Sequence, residues 1–405
     1  MKILFVTGLY DRECELTYNK HCRNGCSTQN APNVFQWCIV DGLASNNADF
    51  YVVSYPFLPS YPLGYSKIHI KKTPIIHNGK VIGTIDKYCT LNIFKSKSIF
   101  DNLYKFAREF IESYKDEKIV ILLYAPASYV LSAAAKLKNE FTNVSICMIV
   151  TDMVDDMLSF ASNRTPIKRI QVKLEQKIIK SLYKEVDKYV LLSKHMCDRI
   201  PYATTKNHLV VEGISNCDTT ITPKQDSSIR CILYTGTLQK FACVDDLVTA
   251  FMKIKMDNIQ LVICGSGPLQ QMIEEAANKD GRIVFKGLVT REESIKLQKE
   301  ATVLINPRKP NGCITKYSFP SKTMEYLSSG TPMIGYKLEG IPEEYYPYYY
   351  TIESTDESDL ITTTTKVISL PQEELNHKAI MAYKFIKENK SCHNQVRRIL
   401  SFLES

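Results

Sequence analysis

The sequence of 405 residues contains no apolar run long enough to cross a bilayer. Its longest apolar runs, at 119–127 and 144–150, fall far short of the roughly 20 residues that a membrane-spanning helix needs. The first ten residues also lack the form of a secretory signal peptide. We therefore expect a cytoplasmic protein, for which peripheral contact with the inner face of a membrane stays open.

A strong excess of one charge is also missing. Lys and Arg number 51 and Asp and Glu number 43, so the net charge of +8 is moderate, and we expect it to be spread along the chain. Nucleic-acid-binding proteins usually concentrate a larger excess, so we expect no nucleic-acid partner, whereas an acidic ligand or an anionic lipid surface stays open. The composition, 44% hydrophobic and 23% charged, excludes a disordered, collagen-like or small disulfide-stapled protein.

The cysteines lack the paired spacing of common zinc sites. There are thirteen, an odd number, and several lie inside apolar runs, which is typical of buried thiols in a reduced compartment. Cys14, His21, Cys22 and Cys26 lie close enough in sequence to be checked as a zinc site, but their spacing favours ordinary loop residues. We expect neither a metal nor another cofactor.

Short apolar runs alternate with amphipathic stretches, which is typical of a parallel sheet covered by helices on both faces. The runs predict strands in the first half at 2–7, 49–55, 118–124, 144–151 and 188–193. They predict strands in the second half at 230–236, 259–265, 282–287, 301–307 and 331–336. His77-Asn78-Gly79-Lys80 lies between two β-rich segments and predicts a tight hairpin.

The alternation of apolar runs and amphipathic stretches is interrupted at 213–229. This segment is polar and rich in turn residues, so we place a linker there. We predict an α/β protein with two Rossmann-like, doubly wound domains, at 1–212 and 230–375. Helices at 376–405 are expected to pack back toward the first domain. Ligands of such sheets bind outside the carboxyl ends of the strands, which for two domains means a central cleft.

Two segments of the second half follow predicted strands with side chains suited to a phosphate. Gly265-Ser266-Gly267-Pro268 opens a helix, and its glycines would let a ligand approach the backbone; a plain tight turn is the alternative. Arg308 follows another strand, and Phe319-Pro320-Ser321 begins a helix with Ser318 or Ser321 as its cap. The free N–H groups at such a helix start favour an anion.

Lys322 and Glu325 lie three residues apart on one face of that helix. The carboxylate could accept both hydroxyls of a ribose while the ammonium faces the adjoining diphosphate. The alternative is a solvated lysine paired with a helix-stabilising acid. Spacing alone leaves these two interpretations equal.

The order of short motifs over residues 230–343 resembles the donor-binding half of glycosyltransferase family 4. The motifs are Tyr234-Thr235-Gly236-Thr237, Gly265-Ser266-Gly267-Pro268, Phe285-Lys286-Gly287, Glu325-Tyr326-Leu327, Gly330-Thr331-Pro332 and Gly340-Ile341-Pro342-Glu343. Phe319-Pro320-Ser321-Lys322 is similar to the segment that a branch of the family carries before its ribose-binding glutamate. The first half resembles the family only in its alternation and length.

The resemblance implies the GT-B fold and a retaining enzyme. Such an enzyme would move a sugar from a nucleotide-diphosphate sugar to a saccharide or lipid-linked saccharide, in surface polysaccharide or glycoconjugate biosynthesis. The catalytic residues that it implies are Lys322, Arg308 and Asp152. The donor-binding residues that it implies are Gly236, Thr237, Gly265, Gly267, Pro268, Lys286, Ser321, Glu325, Gly340 and Glu343.

The sequence departs from the family where charge is expected. Tyr317 stands eight residues before Glu325, where many members have a second acid. Thr237 stands in place of an arginine, and Ala242-Cys243 in place of Lys-Gly. Neutralisation of the diphosphate would then fall on Arg308, Lys322 and, as a further candidate, Lys240. A non-catalytic nucleotide-sugar-binding protein and a sugar-nucleotide epimerase or hydrolase therefore stay as alternatives.

The first half offers fewer candidates. Asp152 follows a strand at the edge where the family often has a residue near the sugar or acceptor, and a turn aspartate is the alternative. Arg23-Asn24-Gly25 is a poor substitute for the Gly-Gly loop of the family. Residues 164–188 hold eight basic and three acidic residues, which predicts either a packed helix or contact with an anionic membrane. Its apolar stripe would consist of Ile167, Ile170, Leu174, Ile178 and Leu182.

Overall fold

The computed structural model divides into two compact units. It describes residues 1–11, 15–24, 26, 28, 30–156, 165–217, 221–310 and 312–405. The first unit comprises Met1–Ile214 and Cys392–Ser405, and the second comprises Ser215–Ser391. The predicted boundary before residue 376 falls inside a helix that belongs to the second unit.

The first unit is built on an eight-stranded sheet and follows the predicted alternation. Its strands are β1 (Lys2–Thr7), β2 (Phe50–Ser54), β3 (His69–Ile70), β4 (Thr73–His77), β5 (Lys80–Ile85), β6 (Tyr88–Cys89), β7 (Ile119–Tyr124), β8 (Val144–Val150), β9 (Lys188–Leu191) and β10 (His208–Val210). Its helices up to this point are α1 (Glu15–Asn19), α2 (Asn30–Ser45), α3 (Asn92–Ser113), α4 (Ser128–Glu140) and α5 (Pro166–Leu182). The order in the eight-stranded sheet is β10-β9-β8-β7-β1-β2-β5-β4, and every pair in it is parallel except β4 with β5. The other two strands, β3 and β6, form a separate antiparallel sheet.

The core of this unit lies along its central strands. All six residues of β1 and all six of β7 are buried, as a parallel sheet with helices on both faces requires. The predicted hairpin is confirmed: β4 and β5 pair around Asn78 and Gly79, which have φ angles of +50° and +75°. Helix α3 begins at Asn92, and its N-cap residue Leu91 makes no side-chain cap hydrogen bond.

The second unit contains a six-stranded, fully parallel sheet with the order β13-β12-β11-β14-β15-β16. Its strands are β11 (Arg230–Thr235), β12 (Ile259–Cys264), β13 (Ile283–Gly287), β14 (Val303–Asn306), β15 (Met333–Tyr336) and β16 (Tyr350–Ile352). Its helices are α6 (Val244–Lys253), α7 (Gln270–Lys279), α8 (Arg291–Glu300), α9 (Gly312–Lys316), α10 (Ser321–Leu327), α11 (Glu357–Ile368) and α12 (Gln372–Asn389). The predicted class, α/β with parallel sheets, is confirmed.

The last two helices divide between the units. Helix α12 contacts α10 and the short 3₁₀ helix Glu343–Tyr348, so it belongs to the second unit. Helix α13 (Cys392–Glu404) packs on α2, and Gln395 donates a hydrogen bond to the carbonyl of Gly213 over 2.9 Å. The return of the chain to the first unit therefore begins at Cys392 rather than at 376.

None of the helices in the described part of the chain is both long enough and apolar enough to span a membrane.

Candidate functional site

The carboxyl edge of the second sheet carries most of the predicted donor residues. Hydrogen bonds join the loops that follow neighbouring strands there: Gly236 N–H donates to the Cys264 carbonyl over 2.9 Å, and Gly265 N–H donates to the Gly287 carbonyl over 2.7 Å. Leu238 N–H also donates to the Ser266 carbonyl over 3.0 Å. The loops after β11, β12 and β13 therefore form one continuous backbone surface.

Two glycines of this surface could not be replaced without a clash. Gly236 and Gly265 have φ angles of +154° and +146°, which side-chain-bearing residues rarely adopt. A Cβ on Gly236 would lie 1.8 Å from Lys322 Nζ, and one on Gly265 would lie 1.8 Å from the carbonyl oxygen of Gly236. The Lys322 ammonium thus occupies the space that a side chain at position 236 would need. Gly267 lies against the backbone of Leu238 in the same way.

A cavity of about 140 Å³ opens beside these loops. Its lining residues come from the ends of β11 and β14 and from the start of α10. They are Tyr234, Thr237, Phe241, Ala242, Asn306, Arg308, Pro320, Ser321 and Lys322. Four predicted residues therefore share one cavity: Arg308, Lys322, Thr237 and Ser321.

Lys322 is half-buried and forms no ion pair with the described residues. Its Nζ lies 5.4 Å from the centre of the Tyr234 ring, a distance at which an ammonium is attracted to an aromatic face. Burial lowers the pKa of Lys322, and the charge of Arg308 lowers it further while Glu325 opposes the shift. The interpretation of Lys322 as a solvated lysine paired with Glu325 is wrong.

Arg308 is the second cation of the cavity. Its guanidinium carbon lies 5.7 Å from the centre of the Phe241 ring, and it has no ion-pair partner in the part of the chain that the structure describes. Burial lowers the pKa of Arg308, although a guanidinium stays charged. Two half-buried cations without a counter-charge favour an anionic ligand, since burial of unpaired charge is otherwise costly.

Glu325 is oriented by a residue that sequence reasoning missed. The buried Gln298 of α8 donates its side-chain amide to Glu325 Oε1, and the same amide reaches Thr235 Oγ1 at 3.1 Å and Ser294 Oγ at 3.2 Å. Thr331 Oγ1 donates to the backbone carbonyl of Gln298 over 2.6 Å. Nothing in the sequence around Gln298 marks it, because the contact depends on the packing of α8 beside β11.

The start of α10 differs from the prediction. Pro320 is the N-cap residue, and no side chain caps the helix. Ser318 lies two residues before the N-cap, and its hydroxyl donates to the carbonyl of Ile314 over 2.5 Å. Ser321 is the first helical residue and lines the cavity. Pro at the N-cap still leaves the first N–H groups of α10 without helical acceptors.

The remaining donor candidates lie at the same edge but outside the lining of the cavity. Pro268, Lys286 and Glu343 are exposed, and Lys286 is in β13, one residue before its carboxyl end. Gly340 is buried, donates its N–H to the Thr315 carbonyl over 2.9 Å, and has no room for a Cβ beside the Ser318 carbonyl. It fixes the loop after β15.

Lys240, the further candidate for the diphosphate, is bound elsewhere. Its exposed ammonium donates to Asp245 Oδ2, and its pKa is raised, first by this hydrogen bond. Lys309 likewise pairs with Asp246 over 2.7 Å. The cations that face the cavity without a carboxylate partner are therefore Arg308 and Lys322, among the residues that the structure describes.

In the first unit, Asp152 follows β8 at the carboxyl edge of the sheet, as predicted. Its side chain is exposed, and Thr151 Oγ1 donates to Oδ2 over 3.1 Å. Partial desolvation raises the pKa of the Asp152 carboxyl, and the charge of Asp156 adds to the shift. Its role at the acceptor stays a prediction.

Three other predictions fall partly on Cys14, Gly25 and residues 157–164, which lie outside the described residues. Of the zinc candidates, His21 Nδ1 lies 3.0 Å from Ser66 Oγ, and the Cys22 thiol donates to the Tyr18 carbonyl over 3.7 Å.

Helix α5 does not bury its apolar stripe. Ile170, Leu174 and Ile178 are exposed, so the interpretation of a packed stripe is wrong for these three; the side chain of Ile167 lies outside the described residues. Membrane contact through α5, the other interpretation of this segment, stays an alternative.

Comparison with known proteins finds a family model that matches part of the second unit. Residues 229–369 match the family model "Glycosyl transferases group 1". Residues 229–369 therefore form a glycosyltransferase domain, and the chain is a glycosyltransferase enzyme. No curated protein matches the chain by sequence.

Solved glycosyltransferases share the fold over the whole chain. The lipopolysaccharide outer core galactosyltransferase WaaB in its apo form has a TM-score of 0.62 at 14% identity, covering 100% of this chain and 99% of that one. A glycosyltransferase from Rickettsia africae has a TM-score of 0.64 at 14% identity, covering 100% and 98%. An E. coli structure described as trehalose-6-phosphate bound with UDP-2-fluoro glucose has a TM-score of 0.65 at 9% identity, covering 100% and 99%. The fold of this glycosyltransferase is GT-B.

Proposed function

We propose that this glycosyltransferase is a retaining enzyme that uses a nucleotide-diphosphate sugar as its donor and that the donor diphosphate occupies the cavity of the second unit. The observation that carries the proposal is the pair of half-buried cations, Arg308 and Lys322, that line the cavity without a carboxylate partner among the described residues. A compact dianion would supply the missing counter-charge. Membership in family 4 and the Phe319–Lys322 signature belong to the same proposal.

The chemistry of the step explains why cations dominate. The bond that breaks joins the anomeric carbon to a diphosphate oxygen, so negative charge grows on the leaving group in the transition state. Preorganised positive charge in a site of low polarity stabilises that charge most effectively. Lys322 and Arg308 supply it, and the loops at Gly236, Gly265 and Gly267 let the diphosphate approach the backbone. No metal ion takes part in this stabilisation of the leaving diphosphate.

The other donor contacts follow from the same placement. Glu325, oriented by Gln298, accepts hydrogen bonds from the ribose hydroxyls. Thr237 and Ser321 line the cavity. Pro268, Lys286, Gly340 and Glu343 lie at the same edge of the sheet and contact the base or the sugar. Asp152 serves the acceptor, for which we propose a saccharide or lipid-linked saccharide of surface polysaccharide or glycoconjugate biosynthesis.

A thermal-shift panel tests the donor site. UDP, GDP, ADP and CMP, with their sugar conjugates, are added to the wild-type protein and to Arg308→Ala. One nucleotide should raise Tm in the wild type, because a ligand at about 100 times its Kd adds about 2.7 kcal/mol of stability. The rise should be much smaller in Arg308→Ala and unchanged in Lys309→Ala, whose lysine is paired with Asp246. Equal shifts in all three proteins would place the nucleotide outside this cavity.

A further inference from the structure

One segment of the first unit is strongly basic. Residues 61–97 contain seven lysines and a single acidic residue, Asp86, which gives them a net charge of +6 against +8 for the whole chain. Asp86 does not offset the lysines at the surface, because its carboxylate is buried and accepts a hydrogen bond from the Tyr55 hydroxyl over 3.0 Å.

Large apolar side chains are exposed in the same segment. Ile93 is 80% exposed and Leu63 is 71% exposed, and Ile68 and Phe94 are also open to solvent. Three hydrogen bonds join the two stretches that carry them. Tyr61 N–H donates to the Thr90 carbonyl over 3.0 Å, Thr90 N–H to the Ile68 carbonyl over 2.7 Å, and Lys95 Nζ to the Leu58 carbonyl over 2.5 Å.

We call this region the Leu63–Phe94 surface. Its residues are the apolar side chains of Leu63, Ile68, Ile93 and Phe94 and the exposed lysines Lys67, Lys71, Lys72 and Lys87. No carboxylate pairs with any of these four lysines among the described residues. The other three lysines of the segment are not part of this surface. Lys80 lies at the β4–β5 hairpin, Lys97 pairs with Asp101 over 2.9 Å, and the ammonium of Lys95 donates to the Leu58 carbonyl.

We infer that the Leu63–Phe94 surface docks on an anionic lipid bilayer. Exposed apolar side chains surrounded by lysines match such a surface, because the apolar groups can enter the acyl boundary while the ammonium groups meet the lipid phosphates. A second copy of this chain is a poorer occupant, since a symmetric contact would bring the same lysines of both copies together. The inference does not depend on the proposed donor site.

Helix α5 offers a rival surface in the same unit. It exposes Ile170 and Leu174 and carries lysines of its own, but Lys180 is paired with Asp155, and residues 157–164 before the helix lie outside the described residues. Residues 30–156 are described without a gap. The two surfaces give a matched pair of double variants.

Vesicle co-sedimentation of the full chain tests the inference. The probes are vesicles of phosphatidylcholine alone and vesicles of equal parts phosphatidylcholine and phosphatidylglycerol. The wild type should sediment with the anionic vesicles only. Ile93→Ser with Phe94→Ser should weaken binding about tenfold or more, and Lys67→Gln with Lys71→Gln should remove the preference for anionic lipid. Ile170→Ser with Leu174→Ser is the control and should bind like the wild type.

A fluorescent probe gives an independent measurement. The chain has one tryptophan, Trp37, which is buried, so the indole of Phe94→Trp is the signal that can respond to lipid. Its emission should shift to the blue and be quenched by brominated acyl chains in anionic vesicles. All of these substitutions lie at exposed positions, so unchanged thermal unfolding verifies that each variant is folded.

Several results would overturn the inference. They are equal binding to neutral and anionic vesicles, unchanged binding of the Ile93/Phe94 double variant, loss of binding only in the α5 variant, and an indole at 94 that lipid does not quench. Self-association that the Ile93/Phe94 variant abolishes, without vesicle binding, would replace the bilayer by a second copy. Donor binding measured separately is not affected by any of these results, so failure here leaves the proposed function standing.

Discussion

The molecule has two basic regions that differ in how their charges are held. Arg308 and Lys322 in the second unit are half-buried, lie against aromatic rings and face a cavity. The lysines of the Leu63–Phe94 surface are exposed and lie among exposed apolar side chains. Burial strengthens the electrostatic attraction of an unpaired cation and limits its partner to a small anion that fits the cavity. Exposed cations can instead contact an extended anionic surface, although salt screens that attraction more strongly. The same residue types thus indicate a diphosphate in one place and a lipid surface in the other.

The largest expected effect tests the buried pair. Lys322→Ala should reduce the stabilisation of the transition state, as measured by kcat/KM for the donor, by about 2–4 kcal/mol. Much of the loss should appear in kcat, because the ammonium stabilises charge that grows in the transition state. Donor kinetics on the purified variant measure it. Lys309→Ala is the matched control, since this lysine is paired with Asp246.

Wild-type kinetics in Lys322→Ala would move the reaction away from this cavity and remove the contrast between the two basic regions. Vesicle binding by the same variant should equal that of the wild type, because Lys322 lies in the other unit from the Leu63–Phe94 surface.

A second substitution separates binding from the chemical step. Glu325→Gln should weaken the donor and the free nucleoside diphosphate together by about 1.5–3 kcal/mol, because a charged hydrogen-bond partner of a non-reacting ribose is lost. Calorimetry with the nucleotide selected by the thermal-shift panel measures this change. A loss confined to kcat, with nucleotide affinity intact, would contradict the ribose assignment and place Glu325 at the sugar.

A third substitution tests whether the glycine loop holds the ammonium in place. Gly236→Ala puts a Cβ where Lys322 Nζ lies and forces alanine into a φ of +154°, at a cost of about 1–3 kcal/mol in stability. The displaced ammonium should also weaken nucleotide binding. Gly281→Ala is the control, because a Cβ there meets no atom within 4 Å. Nucleotide affinity that survives in Gly236→Ala would show that the position of Lys322 is not set by this loop.

The sequence was most predictive where the geometry depends on a few adjacent residues. The loops at Gly236 and Gly265 need positive φ angles, and that requirement is visible as glycine directly after an apolar strand. The hairpin at Asn78-Gly79 was predictable for the same reason. Arg308 and Lys322 were predictable as cavity residues because both follow structural breaks at the carboxyl edge of the sheet.

Features that depend on distant packing were not predictable. Gln298 reaches Glu325 only because α8 packs beside β11, and Lys240 turns to Asp245 rather than to the cavity. The start of α3 has no side-chain cap hydrogen bond, so no local sequence signal marks it. The concentration of charge in 61–97 was visible in the sequence, but its meaning depends on Ile93 and Leu63 being exposed, which only the fold shows.

The smallest expected effect is a change in protonation. Burial lowers the pKa of Lys322 in the free protein, and a bound diphosphate should raise that pKa again by adding negative charge. Between the pKa of the free protein and the higher pKa of the complex, binding should take up a fraction of a proton, and affinity should fall as pH rises through the lower of the two. Calorimetry of nucleotide binding in two buffers of different ionisation enthalpy measures the uptake. Lys322→Arg keeps the charge on a group that does not titrate, so the dependence on buffer should disappear in that variant. Proton uptake that persists in Lys322→Arg would assign the proton to another group. It would contradict the inference that the half-buried ammonium of Lys322 contacts the diphosphate.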